Sequence, residues 1–255
     1  LLATFLGTGT SQGIPVIGCN CYACISPDIK DKRTRSSIYI DDKKNKFLID
    51  IGPDFRMQML SNNLSDLDQI LITHEHADHT AGMDDIRPIN FKHKKDIILH
   101  AEERVIEDIS KRFQYIFSGT YPGLPKMQLN TIKEGHNDIN GSEVFAFRIT
   151  HGRLPITGYR IGKLTYITDA SLIAEGEIAF LQEDTDTLVI NALRREKHPS
   201  HFTLDEALQM ISIINPRVAY LTHLSHFMGR HEEIQKELPP HVFIAHDNLQ
   251  ISFTT

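Results

Sequence analysis

The stretch Gln69-Ile70-Leu71-Ile72-Thr73-His74-Glu75-His76-Ala77-Asp78-His79 decides how this chain is read. Its first four residues make an apolar run that reads as a buried strand. Directly after it, four side chains able to ligate a metal fall within six residues: His74, His76, Asp78 and His79. A loop at a strand's end is a place where a rigid scaffold holds functional side chains. His74 and His76 are spaced to grip one ion, while Asp78 and His79 turn toward a second.

The same arrangement recurs downstream. An apolar strand, a Thr and then a ligand-type residue appear at Thr150-His151, Thr168-Asp169 and Thr222-His223, matching Thr73-His74. Each residue alone is more often a cap or a hydrogen-bonding group, but the repetition makes a set of seven ligands: His74, His76, Asp78, His79, His151, Asp169 and His223. One ion takes His74, His76 and His151, the other takes Asp78, His79 and His223, and Asp169 bridges them with its two oxygens. Two divalent ions about 3.5–4 Å apart suit hydrolysis, because they generate hydroxide near neutral pH and clamp phosphoryl oxygens. Imidazole and carboxylate together admit Zn, Mn or Fe.

With 255 residues, the chain can bury a substantial core. No apolar stretch approaches the roughly 18 residues of a membrane-spanning helix, so no membrane partner is expected. The chain opens on Leu1 rather than Met, which suggests a missing start, and its first residues lack the pattern of a signal peptide. A net charge of -6 without a basic block disfavours nucleic acid as a partner. A small phosphate ester, needing one or two cations, stays open. The three cysteines lie together in Cys19-Asn20-Cys21-Tyr22-Ala23-Cys24, a spacing too tight for a disulfide framework and suited to a metal in a reducing compartment. A cytoplasmic protein is the expectation.

Short strands are predicted at residues 4–6, 37–40, 47–51, 69–72, 97–100, 144–150, 164–167, 187–190, 218–221 and 242–244, and helices at 54–60, 102–113 and 203–214. In the last helix Thr203 and Glu206 have capping-box spacing, Leu204, Ala207, Leu208, Ile211 and Ile214 share one face, and Asn215-Pro216 ends it. Segment 117–125 reads as a mobile loop. No linker divides the chain, so residues 1–255 are expected to form one domain of two packed sheets with outer helices. Gly7-Thr8-Gly9-Thr10-Ser11-Gln12-Gly13 follows a strand, but its glycines are mis-spaced for a dinucleotide fingerprint and Pro15 stands where the helix should start, so a tight turn near the site is expected instead.

The HxHxDH run followed by His, Asp and His resembles the metallo-β-lactamase superfamily. That resemblance implies an α+β fold: a four-layer αββα sandwich, two mixed sheets flanked by helices, with a dinuclear site at the edge between the sheets. Asp50, in Leu48-Ile49-Asp50-Ile51-Gly52, matches the family's acidic residue that orients a metal ligand. The cysteine set, Gly13-Ile14-Pro15, Gly82-Met83-Asp84-Asp85-Ile86-Arg87-Pro88, His151-Gly152-Arg153, Gly158-Tyr159-Arg160, and the run from His198 through Ala207 resemble more narrowly the PhnP-like branch, the phosphoribosyl 1,2-cyclic phosphate phosphodiesterases. The likeness runs from about Leu6 to Ile251.

This branch implies further roles. His226, three residues after His223, is the fourth ligand of a structural Zn held by Cys19, Cys21 and Cys24. His201 is the general acid, and Asp78 is catalytic as well as a ligand. Arg87 either contacts phosphate or pairs with Asp84 or Asp85; Arg153 and Arg160 are weaker phosphate candidates and His198 a supporting residue. For His93, His100, His136, His231, His241 and His246 a packed or solvated role is expected. The function implied is hydrolysis of a small cyclic ribose or nucleotide phosphodiester, with metal-bound hydroxide as nucleophile, two Mn or Zn ions at the site, and a homodimer. Competing readings are tRNase Z-like RNA 3′ processing, a PqqB-like protein and a noncatalytic metal-binding protein. Glu75 adds a carboxylate of unassigned role, and the natural substrate is not legible.

Overall fold

The computed structural model describes residues 1–254. Two mixed sheets face one another. The first orders its strands as Gln250–Ser252, Leu2–Gly7, Ser37–Asp41, Lys46–Ile49, Gln69–Leu71, Ile97–Ala101 and Met127–Thr131. The second runs Leu172–Ile173, Ser142–His151, Leu154–Ile161, Leu164–Ile167, Thr187–Asn191, Val218–Thr222 and Val242–Ile244, with Gly135–Ile139 hairpinned onto Ser142–His151. In each sheet an antiparallel half passes into a parallel one, at Lys46–Ile49 in the first and Leu164–Ile167 in the second.

Three apolar cores make four layers. Between the sheets, Phe5, Ile38, Ile40, Phe47 and Ile49 from one meet Val144, Tyr159, Ile161, Tyr166 and Val189 from the other. Each such side chain, when fully buried, stabilises the fold by about 1.5–3 kcal/mol. Helices Phe55–Ser61, Arg87–His93 and Glu103–Arg112 cover the outer face of the first sheet. Glu175–Asp184, Leu204–Ile214 and His231–Glu237 cover that of the second. This is the expected αββα sandwich. The Thr203 capping box forms with Glu206, and Asn215 ends that helix in the left-handed conformation at φ 55°. Among the described residues no helix is long and apolar enough to cross a membrane.

Several strands escape the sequence reading. Leu154–Ile161 contains Pro155 and Gly158, which argue against a strand. Gly158 is needed because the Phe147 ring lies over it: a Cβ there would sit 2.5 Å from ring carbons. Met127–Thr131 and Gly135–Ile139 are short and polar at the sheets' margins, so their periodicity is faint. In segment 117–125, Phe117 and Ser118 close the short helix Gln114–Ser118, and no helix or strand follows until Met127.

Parallel strands end at one common edge, where open α/β sheets place their ligands. There the backbone beyond Lys46–Ile49 seats the residue 74–82 loop: Ile51 N–H donates to His79 O at 2.8 Å and Gly82 N–H to Ile51 O at 2.9 Å. The seat is close enough that a Cβ on Gly52 would lie 2.3 Å from the Asp78 carbonyl oxygen. Gly52→Ala is therefore expected to lower stability by about 1–3 kcal/mol and to displace the loop that carries Asp78 and His79. Thermal melting combined with metal analysis of the purified variant checks this; wild-type values for both would show the seat to be yielding.

Candidate metal centre

The seven predicted ligands, scattered from residue 74 to residue 223, come together at that edge. His74, His76, Asp78 and His79 arrive from the first sheet; His151, Asp169 and His223 arrive from strand ends of the second. Donor atoms group as His74–His76–His151, as Asp78–His79–His223 and as His74–His79–Asp169, each set within 4.8 Å. Asp169 stands between: Oδ2 is 3.3 Å from His79 Nε2 and Oδ1 is 3.1 Å from His223 Nε2. Three residues that follow strands, Asp50, Asp169 and His223, have φ of 63°, 58° and 56°. This left-handed conformation costs a non-glycine residue about 1–2 kcal/mol, strain of the kind that collects at functional sites.

Hydrogen bonds on the far side of the rings aim the donors. Asp50, wholly buried, accepts from Thr73 N–H at 2.8 Å, from Thr73 Oγ1 and from His79 Nδ1 at 2.7 Å. His79 must then present Nε2 to the cluster. His151 Nδ1 donates to Ser200 O at 2.7 Å, which turns its Nε2 the same way. Among the described residues the buried His79 Nε2 and both ring nitrogens of His223 form no well-directed hydrogen bond, although Asp169 lies beside both Nε2 atoms. Orphaned, convergent nitrogens beside carboxylates fit a cation.

Charge follows the geometry. Burial pushes the His79 imidazole toward neutrality, but Asp50, Asp169 and Asp78 outweigh it and raise its proton affinity well above the histidine value. Burial, then His79, push His74 well below it. Burial opposes ionisation of Asp169 and Asp78, but His223 and His79 hold Asp169, and His79 holds Asp78, well below the usual carboxylate range. Burial and neighbouring His223 bring His201 down to about 3, with Asp169 opposing. His201 Nδ1 lies 3.7 Å from Asp169 Oδ1, and the ring lines a cleft of about 220 Å³ beside the cluster.

A second cluster gathers Cys19, Cys21, Cys24 and His226, with the sulfurs 3.4, 3.2 and 3.6 Å from His226 Nδ1. The turn after Leu2–Gly7 supplies Thr10, Ser11 and Gln12 to the same cleft as His201 and His226, as the sequence led us to expect. Two weaker phosphate candidates are found paired within the protein. Of the two readings given for Arg87 the structure shows the pairing with Asp84, at 2.6 Å, because Tyr115 and the short turn Met83–Ile86 hold that carboxylate beside it. Arg160 is buried over the Phe180 ring and paired with Asp184, because its strand points it to the other side of the second sheet.

Sequence reading missed two arginines. On helix Glu103–Arg112, Arg104 pairs with Glu75 and donates to Pro155 O at 2.7 Å, while Arg112 donates to Glu75 O at 2.6 Å and to Thr80 Oγ1 at 3.1 Å. Glu75 thus turns to Arg104. Arg104 ties the His74–His79 loop to the hairpin that carries His151, a bond between the two sheets at the cluster. Eight residues apart on one helix, the pair carries no motif. Arg104→Met is expected to weaken metal retention about tenfold, in line with loss of a group supporting metal ligands; chelator competition on the loaded protein measures it, and unchanged retention would mean the bond serves stability alone.

The family model of the beta-lactamase superfamily domain matches residues 45–224, a span containing Asp50 and all seven clustered His and Asp residues. An octanoyltransferase of Porphyromonas gingivalis is 42% identical over 249 residues, 96% of this chain, and the chain spans 50% of that protein's length. A crystal structure of a new diphosphatase from the PhnP family superposes with a TM-score of 0.92 at 34% identity, covering 99% of this chain and 97% of that one. Zn(2+)-bound PqqB from Methylobacterium extorquens, 18% identical with a TM-score of 0.78 and coverage of 99% and 100%, shares the fold. With its two-sheet architecture and its clustered histidines and aspartates, this chain belongs to the metallo-β-lactamase superfamily and, within it, to the PhnP family.

Proposed function

We propose that this metal-dependent hydrolase cleaves a small phosphodiester, a cyclic ribose or nucleotide phosphate, at a dinuclear centre. The carrying observation is the placement of Asp169 between two groups of imidazoles, with His201 at its side and an open cleft beyond. His74, His76 and His151 would hold one divalent ion, Asp78, His79 and His223 the other, with Asp169 shared; imidazole and carboxylate donors suit Mn or Zn. Bound there, such ions supply a nucleophile from water at neutral pH and neutralise charge on the phosphoryl oxygens.

The chain's own residues do the rest. Asp78, held ionised, takes the proton of the attacking water. His201 gives a proton to the leaving oxygen as the P–O bond breaks, so that a cyclic diester opens to one molecule bearing a phosphomonoester and a free hydroxyl. Burial disfavours the charged imidazole, and an arriving phosphodiester anion acts in the same direction as Asp169, toward the protonated form. Asp50 and Ser200 keep His79 and His151 in the ligating tautomer.

The diphosphatase relative in the PhnP family supports phosphorus as the reacting centre. The Porphyromonas relative's name points to acyl transfer, but this chain spans half of that protein. Moreover, the thiols able to carry an acyl group are gathered on His226. Three sulfurs and an imidazole are the donors of a structural zinc, and a metal held by thiolates suits a reducing, cytoplasmic setting.

Wild type loaded with Mn or Zn is expected to hydrolyse bis(4-nitrophenyl) phosphate, and one member of a panel of 2′,3′-cyclic nucleotides, ribose 1,2-cyclic phosphates and diphosphate diesters should emerge as preferred. Asp169→Ala should abolish turnover, and His201→Ala should lower kcat by about 10²–10⁴-fold. Full activity in Asp169→Ala would remove the dinuclear reading. Separately, Cys24→Ser should lose one zinc per chain by elemental analysis while the His/Asp centre stays loaded; equal zinc in both proteins would dismiss the cysteine site.

A further inference from the structure

The cleft beside His201 is walled by the turn at residues 10–12, the loop after Thr187–Asn191 and the loop after Val218–Thr222. Ser225 laces the last two together, its N–H and Oγ both donating to Leu193 O, at 2.9 and 2.8 Å. That stitch brings Arg194 to Phe227, with Cζ 6.0 Å from the ring centroid.

Within the protein Arg194 finds carbonyl oxygens and no carboxylate among the described residues, and Phe227 stays largely open to water. Phe227 is 61% exposed, yet it is not on a loose loop. The ring of His226 packs against it with centroids 4.0 Å apart, and His226 Nδ1 is held among three sulfurs. Arg194 is half-buried and donates only to the backbone carbonyls of Glu196 and Lys197, at 3.2 and 3.1 Å. Its neighbours are neutralised, Arg195 by Glu237 and Lys197 by Glu206, but among the described residues no carboxylate pairs with Arg194. Exposed Ser11 and Gln12 line the same cleft.

A guanidinium without a counter-ion calls for an anionic oxygen. A fixed, water-facing ring offers a stacking platform for a planar heterocycle. Hydroxyl and amide groups beside them match sugar hydroxyls. The volume, about 220 Å³, has room for one such unit. Resting on the hydrolytic reading above, we propose that Arg194 and Phe227 form the specificity subsite of this cleft and that it selects a substrate whose phosphate carries a nucleoside, the base lying on Phe227 and an anionic oxygen on Arg194. The cysteine cluster then acquires a second consequence, since it fixes the backbone that presents Phe227.

Isothermal titration of the metal-loaded chain with AMP, ribose 5-phosphate and inorganic phosphate tests this without turnover. AMP should bind about tenfold more tightly than ribose 5-phosphate, the increment that one stacked base supplies. Phe227→Ala should erase that difference, while Phe227→Tyr, which keeps a ring, should retain it. Arg194→Gln should weaken AMP and ribose 5-phosphate alike, by about tenfold for a lost charged contact. Melting curves and metal content identify any variant that fails to fold, and the tyrosine variant provides the reading if alanine does. Equal affinity of wild type for AMP and ribose 5-phosphate, or an AMP affinity that survives Phe227→Ala, overturns the subsite even if phosphodiesters are hydrolysed. Base-dependent binding lost in Phe227→Ala supports it even if no phosphodiester is turned over, in which case only the hydrolytic reading falls.

Discussion

A carboxylate removed wholly from water, Asp50, is the constraint on which the site depends. Burial of an ion without partners costs several kcal/mol, and here every partner is a site component: the backbone and hydroxyl of Thr73, and Nδ1 of His79. Asp50 thereby joins the end of strand Lys46–Ile49 to the start of the His74–His79 loop and decides which nitrogen of His79 faces the cluster. Its own left-handed backbone, φ 63°, is part of the same arrangement, since it turns the chain off the strand at the residue that holds the loop.

The second sheet contributes by a different device. Its ligands come singly, one per strand end: Asp169 and His223 follow strands in the parallel register of Leu164–Ile167, Thr187–Asn191 and Val218–Thr222, and His151 ends the antiparallel strand Ser142–His151. Two bonds near the common edge clamp the sheets against each other: Thr157 N–H to Thr73 O at 3.0 Å and Tyr159 Oη to Ile72 O at 2.7 Å. Arg104 adds a third at the rim. A cation bound among the clustered donors would therefore report on the mutual position of two sheets, which links metal retention to packing of the core between them.

The cysteine cluster and the cleft extend the same logic outward. Cys19, Cys21 and Cys24 lie far from His226 in sequence, and bringing them together folds the N-terminal loop over the end of strand Val218–Thr222. The turn at residues 10–12, the loop with His198 and His201, and the loop with Phe227 are thereby drawn around one opening. The second of these loops carries Arg194 as well as His201, and the third carries His223 as well as Phe227, so the residues around the opening share one scaffold.

Much of this was legible in the chain itself. Local patterns carry their own physics: an apolar run ending in Thr and a ligand residue, three cysteines within six residues, and a capping box at Thr203. They revealed the seven ligand candidates, the helix Leu204–Ile214 and, through the resemblance, the αββα sandwich. Strand Leu154–Ile161 was hidden because Gly158 makes sense only with the Phe147 ring above it, a partner on another strand. Arg87 left phosphate and a neighbouring Asp both open, and Arg160 stood as a weaker phosphate candidate, until Asp84 and Asp184 were seen beside them. Arg104, Arg194 and Phe227 showed no signal, because their roles arise from contacts with segments tens of residues away. The sequence by itself determined which chemistry the donors could perform, since ligand identity is covalent; only the tertiary structure decided which charges stay free and which surfaces stay bare, since those depend on which partners the fold brings within reach.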